Sequence, residues 1–228
     1  MPPKAMKLTA ELVKHVHRPV TDSGPQEGIT YLTETDFDHI VAELLAEHPD
    51  GQDLWLFAYG SLIWKPEVTH VEERLATATG WQRSFCISIK RWRGTPEVPG
   101  LMMALDRGEE CQGVVLRLSA ATSAESLGKL VRRELSAKPP SQLFRWITVD
   151  TDQGPVKAIA IVSNPEGRAY AGNLSIEQVA ETLSKACGHW GSGAEYLLNT
   201  VTHLEARGIR DAYLWRLQEL VADRIAAL

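Results

Sequence analysis

The chain is poor in cysteine: its 228 residues include only Cys86, Cys111 and Cys187, which lie far apart. An odd number of separated cysteines without a C-x-x-C pair argues against a disulfide framework and against the common zinc motifs. His15 and His17 could share one strand face, but no third ligand follows nearby. We therefore expect free thiols in a reducing compartment and no metal site.

Long apolar runs and clusters of positive charge are also missing. No segment reaches the roughly 18 apolar residues of a membrane span, and the N-terminal segment MPPKAMKLTAELVKHVHRP has no apolar core of signal-peptide length. The net charge of -5 does not suit a surface that binds phosphate backbones, and no Walker or dinucleotide glycine pattern occurs. We expect a cytoplasmic protein without a nucleotide cofactor, a nucleic-acid partner or a membrane anchor. The sequence does not indicate its oligomeric state.

The order of the remaining patterns indicates an α+β fold, because strands come first and helices later without β–α–β alternation. Residues 1–50 are predicted to be an N-terminal extension with one helix, over residues 35–48, and residues 51–228 to be the main domain. In that domain a helix is predicted over 123–137, and a hairpin is predicted around the TDQGP turn. Ser175 and Gln178 have the spacing of a capping box. Separate strands are predicted in LATATGW, RSFCISI, LMMALD and GVVLRL.

The segment LWLFAYGSLIWKP, residues 54–66, begins as a strand that is apolar on both faces and then reaches Tyr59, Gly60 and Ser61. Glycine lets the backbone approach a ligand, and adjacent N–H groups after a strand can bind an anion or an oxyanion. An ordinary tight turn explains the same residues equally well. Ser61 is not predicted to be a nucleophile, because the Gly-x-Ser-x-Gly pattern is absent and no His–acid pair accompanies it.

In the helix predicted after the strands, Glu134 follows the apolar stripe at the i+7 position and lies on or at the edge of the buried face. Desolvation there would raise the pKa of this carboxyl group and make it a competent base near neutral pH. In the alternative interpretation Leu135 continues the stripe. Glu134 then points to water or pairs with Arg132 or Arg133.

Two further features are candidates for a binding site. The loop RWRGTPEVPG, residues 91–100, contains too much glycine and proline for a helix or a strand and could cover a site. Tyr196 lies beside the apolar stripe of a predicted helix, so its phenol could face a cavity or the ring could belong to the core. The spacing alone favours the core.

Four segments resemble, in order and spacing, the ChaC family of γ-glutamylcyclotransferases: LFAYGSLIWKP, WRGTPEVPG, RREL on a helix, and GSGAEYL. The resemblance extends over about residues 53–228. It implies a γ-glutamylcyclotransferase-like small mixed β-barrel with flanking helices. It also implies that the protein is an enzyme that cleaves glutathione to 5-oxoproline and cysteinylglycine, with no cofactor.

The resemblance assigns roles to individual residues. Tyr59, Gly60, Ser61 and Leu62 match the loop that binds the γ-glutamyl group of the substrate, and Glu134 matches the catalytic glutamate, which acts as general acid and base.

Two more residues are implied as substrate-binding. Arg93, with Gly94, matches the Arg-Gly pair of a loop that covers the substrate, and Tyr196 matches a tyrosine near the pocket. After Glu134 several relatives have glycine and an aromatic residue, whereas this chain has LSAKPPSQ. That departure concerns the fit of the substrate around the site rather than the glutamate itself.

The sequence leaves two alternatives to glutathione cleavage. The first is a cyclotransferase that acts on other γ-glutamyl peptides or amines, and the second is a non-catalytic module that binds γ-glutamyl groups. Retention of Glu134 favours an enzyme, because a binder of a zwitterionic ligand gains little from a buried carboxylate at that position.

Overall fold

The structure is a computed structural model and describes residues 5–228. The chain divides into two compact units. The barrel unit comprises Glu27–Ser84 and Ala104–Tyr170; the helical unit comprises Phe85–Met103, Ala171–Leu228 and the described part of Met1–Gln26. In chain order the elements are α1 (Ala10–Val16), β1 (Thr30–Tyr31), α2 (Glu34–Ala46), β2 (Leu54–Ala58), α3 (Ser61–Trp64), β3 (Glu72–Ile89), β4 (Gly100–Leu118), α4 (Ser123–Glu134), β5 (Ala137–Lys138), β6 (Gln142–Thr151), β7 (Gly154–Ser163), α5 (Ile176–Leu183), β8 (Cys187–Gly188), β9 (Gly191–Ser192), α6 (Gly193–Glu205) and α7 (Ala212–Ala226).

Five strands form a closed barrel in the order β2-β4-β3-β6-β7. Strand β2 pairs antiparallel with β4 and closes the barrel through a parallel pairing with β7, at Leu56 and Ile159. Leu54, Leu56 and Phe57 are fully buried, so the prediction that this strand is apolar on both faces is confirmed. The predicted hairpin is also confirmed, because β6 and β7 pair along their full length.

The four predicted strands between residues 72 and 118 are in fact two long ones. LATATGW and RSFCISI both belong to β3, and LMMALD and GVVLRL both belong to β4. Gly80, whose φ of +83° suits glycine, lies inside β3 without ending it. The prediction of separate strands was wrong because pairing with neighbouring strands, rather than local composition, decides where a strand ends.

Within the described residues 5–50, the N-terminal extension contains two helices, whereas one was predicted. Helix α2 confirms the prediction over residues 35–48, and α1 is the additional helix. Leu8, Val13 and Val16 are buried in the helical unit. Helix α1, with seven residues of which two are buried, is too short to show a clear helical periodicity of apolar residues in the sequence.

Helix α4 ends at Glu134, three residues before the predicted end at 137. The Leu135 N–H still donates to the Val131 carbonyl, but the Leu135 backbone is extended. The Ser136 carbonyl then accepts a hydrogen bond from the Leu32 N–H, and Ala137–Lys138 pairs with β1. Strand pairing therefore ends the helix before the chain reaches Pro139 and Pro140.

Helices dominate the helical unit. The predicted capping box of Ser175 and Gln178 is present at the start of α5. In α7 the buried Gln218 accepts a hydrogen bond from the Leu8 N–H at 2.9 Å, which fixes the segment just before α1 to this helix. The core of the unit is formed by apolar side chains of α5, α6 and α7: Leu183, Leu197, Leu204, Leu214, Leu217 and Val221.

The predicted α+β class, with a small mixed barrel and helices, is confirmed by these elements. All three cysteines are buried thiols rather than members of disulfides. No helix within residues 5–228 is both long enough and apolar enough to cross a membrane.

Candidate active site

The end of β2 is fixed in the barrel unit by two side chains. Tyr59 is buried, and its hydroxyl donates to the Ile161 carbonyl at 2.5 Å. Arg83, also buried, donates from Nε to the Tyr59 carbonyl at 2.7 Å and from Nη2 to the Gln112 carbonyl. These bonds hold the backbone of the turn that follows, because an arginine in the barrel wall binds the last carbonyl before Gly60.

The turn itself leads into the short helix α3. Gly60 occupies the N-cap position, where it supplies no side-chain cap, and Ser61 and Leu62 form the first helical residues. Leu62 is buried, and Ser61 is partly exposed. The Ser61 Oγ lies 3.3 Å from Arg133 Nη2. The hydroxyl is therefore in contact with a cation, and the role of Ser61 stays a prediction.

Glu134 lies at the last position of α4, and only 15% of its side chain is exposed. Burial raises the pKa of this carboxyl group, and the negative charge of Glu67 raises it further, whereas the Arg133 guanidinium lowers it. The burial effect is the largest, so the net direction is upward. Both interpretations of the sequence hold in part, since the Glu134 side chain is mostly but not fully buried and also pairs with Arg133, from Nε to Oε1 at 3.1 Å.

Arg133 connects the turn to the carboxylate. Besides Glu134 and Ser61 it contacts the Lys65 carbonyl, to which Nη1 donates at 2.6 Å. The structure therefore brings together Glu134 and the turn of Tyr59 to Leu62, five of the seven predicted site residues, in the barrel unit.

The other two predicted residues, Arg93 and Tyr196, lie together in the helical unit. Arg93 is buried and donates from Nη1 to the Ser192 carbonyl at 2.9 Å and to Glu195 Oε2 at 2.8 Å. Its Cζ atom lies 5.5 Å from the centre of the Tyr196 ring. Tyr196 is buried and meets Phe85 edge to face, so the core interpretation of this tyrosine is confirmed, and its contact with a substrate stays a prediction.

The loop of residues 91–100 is fastened to other parts of the helical unit. The Trp190 N–H donates to the Trp92 carbonyl at 2.8 Å. A Cβ atom on Gly188 would lie 2.2 Å from that carbonyl, so the hairpin of β8 and β9 packs backbone to backbone against the loop. Arg91 binds both carboxylate oxygens of Asp22 at 2.6 Å. The loop is therefore a packed segment of the helical unit, and its role as a cover over a site stays a prediction.

Sequence reasoning missed two functional candidates, Arg83 and Glu195, and considered Arg133 only as a surface partner of Glu134. The signal for Arg83 was an arginine at an inward position of a strand, which is unusual unless the charge has partners. Within residues 5–228 no group of three or more His, Cys, Asp and Glu side chains could hold a metal ion.

The fold of this chain matches that of a solved crystal structure. The chain superposes on the crystal structure of a yeast γ-glutamyl cyclotransferase, described as specific to glutathione, with a TM-score of 0.69. The match covers 75% of this chain and 96% of the yeast chain, at 19% sequence identity. The fold is therefore that of the γ-glutamyl cyclotransferases.

The chain belongs to the ChaC-like family, whose sequence profile, described as ChaC-like protein, matches residues 54–224. It is 34% identical over 172 residues to the glutathione-specific γ-glutamylcyclotransferase of Escherichia coli strain K12, a match that covers 75% of this chain and 74% of that protein. It is 28% identical to the glutathione-specific γ-glutamylcyclotransferase 1 of Homo sapiens, over 70% of this chain and 73% of the human protein.

Proposed function

We propose that this protein is a γ-glutamylcyclotransferase that cleaves glutathione into 5-oxoproline and cysteinylglycine. The observation that carries the proposal is the buried carboxylate of Glu134, joined through Arg133 to the turn that matches the family's γ-glutamyl-binding loop. The names of the relatives in Escherichia coli and Homo sapiens support glutathione as the substrate. Residues 51–228 form the catalytic domain in this proposal, and the family match over 54–224 supports that assignment.

The reaction begins with a proton transfer. Glu134, as its carboxylate, takes a proton from the α-ammonium group of the substrate's glutamyl residue. A carboxyl group whose pKa is raised by burial is a stronger base than an ordinary glutamate and is better matched to an ammonium ion near neutral pH.

Ring closure follows within the substrate. The free α-amine attacks the γ-carbonyl carbon of the same glutamyl residue, and the carbonyl oxygen becomes an oxyanion. Backbone N–H groups of Gly60, Ser61 and Leu62 are the proposed donors to this oxygen. The attack is intramolecular, so much of the rate comes from holding the substrate in a folded conformation.

The last step breaks the original amide bond. Glu134 gives its proton to the departing nitrogen of cysteinylglycine as the tetrahedral intermediate collapses. It then takes the second proton from the ring nitrogen, which becomes the neutral N–H of the lactam, and passes that proton to the free amine of cysteinylglycine. Atoms balance without water or an external acceptor, and neither a metal nor a cofactor has a role. Tyr59, Arg93 and Tyr196 complete the proposed set of substrate-binding residues.

The test is release of 5-oxoproline from three substrates: glutathione, γ-glutamyl-lysine and γ-glutamyl-alanine. We expect the highest kcat/KM for glutathione and no release by the Glu134→Gln variant. More efficient cleavage of γ-glutamyl-lysine would point to a cyclotransferase for amines. Binding of 5-oxoproline without turnover of any substrate would point to a binding module.

We also propose a cytoplasmic location. Three buried thiols that form no disulfide suit a reducing compartment, and glutathione is the proposed substrate there. Cell fractionation, with detection of the chain in the cytosolic fraction and in the other fractions, tests the location.

A further inference from the structure

Arg133 has contacts that the proposed mechanism does not yet use. Its guanidinium bonds to Glu134 Oε1, to the Lys65 carbonyl and to the Ser61 hydroxyl, at 3.1, 2.6 and 3.3 Å. Only 16% of the side chain is exposed. One side chain therefore contacts the proposed acid/base, the first residue of α3 and the residue that follows α3.

The contact between Arg133 and Glu134 is not an automatic result of sequence spacing, because adjacent residues on a helix do not face each other. Glu134 is the last residue of α4, and the chain is already extended at Leu135. Each nitrogen of the planar guanidinium has a separate partner: Nε binds the carboxylate, Nη1 the carbonyl and Nη2 the hydroxyl. A lysine, with a single charged atom, cannot reproduce this fork.

We infer that Arg133 is a positioning residue, which fixes the Glu134 carboxylate relative to the turn of Tyr59 to Leu62 by binding both at once. The inference rests on the proposed function, since the carboxylate has to reach the α-ammonium of a substrate that the turn binds. A displacement of about 1 Å between such groups can cost roughly a hundredfold in rate.

The charges around Glu134 give the inference a second readout. In the barrel unit the charged groups that act on Glu134 are Arg133 on its own helix and Glu67 on the segment after α3. Glu67 itself lies 3.6 Å from Arg133 Nη1 and 3.1 Å from Lys65 Nζ. Arg133 thus opposes both the burial of Glu134 and the repulsion from Glu67, and its loss should raise the Glu134 pKa.

Arg132 supplies a matched control. It is the preceding residue of the same helix, but it binds Glu34 at 2.6 Å and Asp38 at 2.9 Å on α2. Its side chain is 36% exposed. Arg132→Met removes the same chemical group from α4 without touching Glu134 or the turn.

The experiment compares Arg133→Met, Arg133→Lys and Arg132→Met with the wild type. We expect Arg133→Met to lower kcat/KM about tenfold to a hundredfold, mainly through kcat, and to move the acidic limb of the pH profile to higher pH. Arg133→Lys should keep the limb near its wild-type position, since it keeps a charge, but should stay slow because one ammonium cannot hold both partners. Arg132→Met should match the wild type in rate and profile.

A measurement independent of turnover separates this inference from the proposed function. The Glu134 carboxyl carbon, assigned by its absence in Glu134→Gln, is titrated by 13C NMR in wild type and variants. A higher pKa in Arg133→Met supports the inference even if the substrate proves to be another γ-glutamyl compound. The inference would be overturned if both Arg133 variants had the wild-type kcat/KM, the wild-type position of the acidic limb and the wild-type Glu134 pKa. If Arg133→Met does not fold, Arg133→Lys decides through its kcat.

Discussion

Arg93 donates to Glu195 from Nη1 only, at 2.8 Å, and its second bond, to the Ser192 carbonyl, uses the same nitrogen. Nε and Nη2 of Arg93 form no hydrogen bond with residues 5–228. Arg91, by contrast, uses Nε and Nη2 to bind Asp22. Of the two loop arginines, Arg93 is therefore the one whose Nε and Nη2 are left to bind a carboxylate in the bidentate manner typical of arginine.

Arg93 is predicted to bind the glycine carboxylate of glutathione. Substitution Arg93→Ala should then lower kcat/KM for glutathione more than for γ-glutamyl-cysteine, which lacks that carboxylate. A charge-assisted contact contributes about 1.5–3 kcal/mol, so the ratio of the two values should fall by roughly tenfold to a hundredfold. The ratio is measured on one preparation, which cancels any loss of folded enzyme.

Arg91→Ala is the control for that ratio. It also removes an arginine of this loop, but the guanidinium of Arg91 already binds the carboxylate of Asp22. We expect Arg91→Ala to leave the ratio unchanged. An unchanged ratio in Arg93→Ala as well would mean that Arg93 acts only through its bonds to Glu195 and Ser192.

Glu134→Gln should abolish turnover and leave binding of 5-oxoproline intact. The amide has nearly the same shape but cannot accept the proton, and loss of a general base typically costs about 10²–10⁴ in rate. Glu125→Gln is the control, since Glu125 lies on the same helix but is exposed and paired with Lys129 at 2.5 Å. Near-normal release of 5-oxoproline by Glu134→Gln would contradict the role of Glu134.

The same substitution makes a prediction about stability. Because burial raises the pKa of Glu134 above its unfolded value, this group stabilises the fold when it is protonated. That contribution is complete below the unfolded pKa of about 4.3, and it is lost as the pH rises through the folded pKa. Above that range the ionised, buried carboxylate opposes folding, at about 1.4 kcal/mol for each pKa unit.

Glu134→Gln should therefore have a higher Tm than the wild type at about pH 8, with a difference that shrinks toward about pH 4 as Glu134 becomes protonated. For Glu125 the contribution to stability varies with pH in the opposite direction, because the hydrogen bond from Lys129 lowers the pKa of its carboxyl group. Its substitution by glutamine should bring no gain at high pH. Thermal unfolding of both variants across this range checks the two signs, and a Tm difference for Glu134→Gln that does not vary with pH would contradict them.

Those features of the site that depend on local periodicity could be predicted from the sequence. The position of Glu134 on or at the edge of the buried face follows from its place seven residues after Leu127, although the sequence left open whether Leu135 continues the stripe instead. The buried strand β2 follows from its unbroken apolar run. The turn after β2 follows from Gly60 and Ser61. Each of these inferences needs only residues within two helical turns or one strand.

Features that depend on distant pairing could not be predicted. Arg93 and Glu195 lie 102 residues apart in sequence, and no local pattern relates them. Arg133 contacts Lys65 and Ser61, which lie 68 and 72 residues earlier in the sequence. Contacts between charged groups that lie so far apart in sequence are recognised only once the fold has placed both partners.

The turn after β2 provides the last prediction: Gly60→Val should harm binding of the γ-glutamyl group more than stability. Gly60 is buried between the fixed carbonyl of Tyr59 and the first turn of α3. If the ligand lies against this backbone, a branched side chain occupies the space that it needs. If Gly60 belongs only to a tight turn, the substitution costs up to a few kcal/mol of stability, and the folded fraction binds normally.

Gly51→Val is the control for this measurement. Gly51 has a φ of +74°, which disfavours valine, but it is exposed and a Cβ atom there would meet nothing within 4 Å. We expect Gly51→Val to lower Tm and to leave 5-oxoproline affinity unchanged, whereas Gly60→Val should weaken that affinity in protein that is still folded. Tm and affinity are measured on the same preparations. Normal affinity in a destabilised Gly60→Val variant would show that the glycine serves the turn and not the ligand.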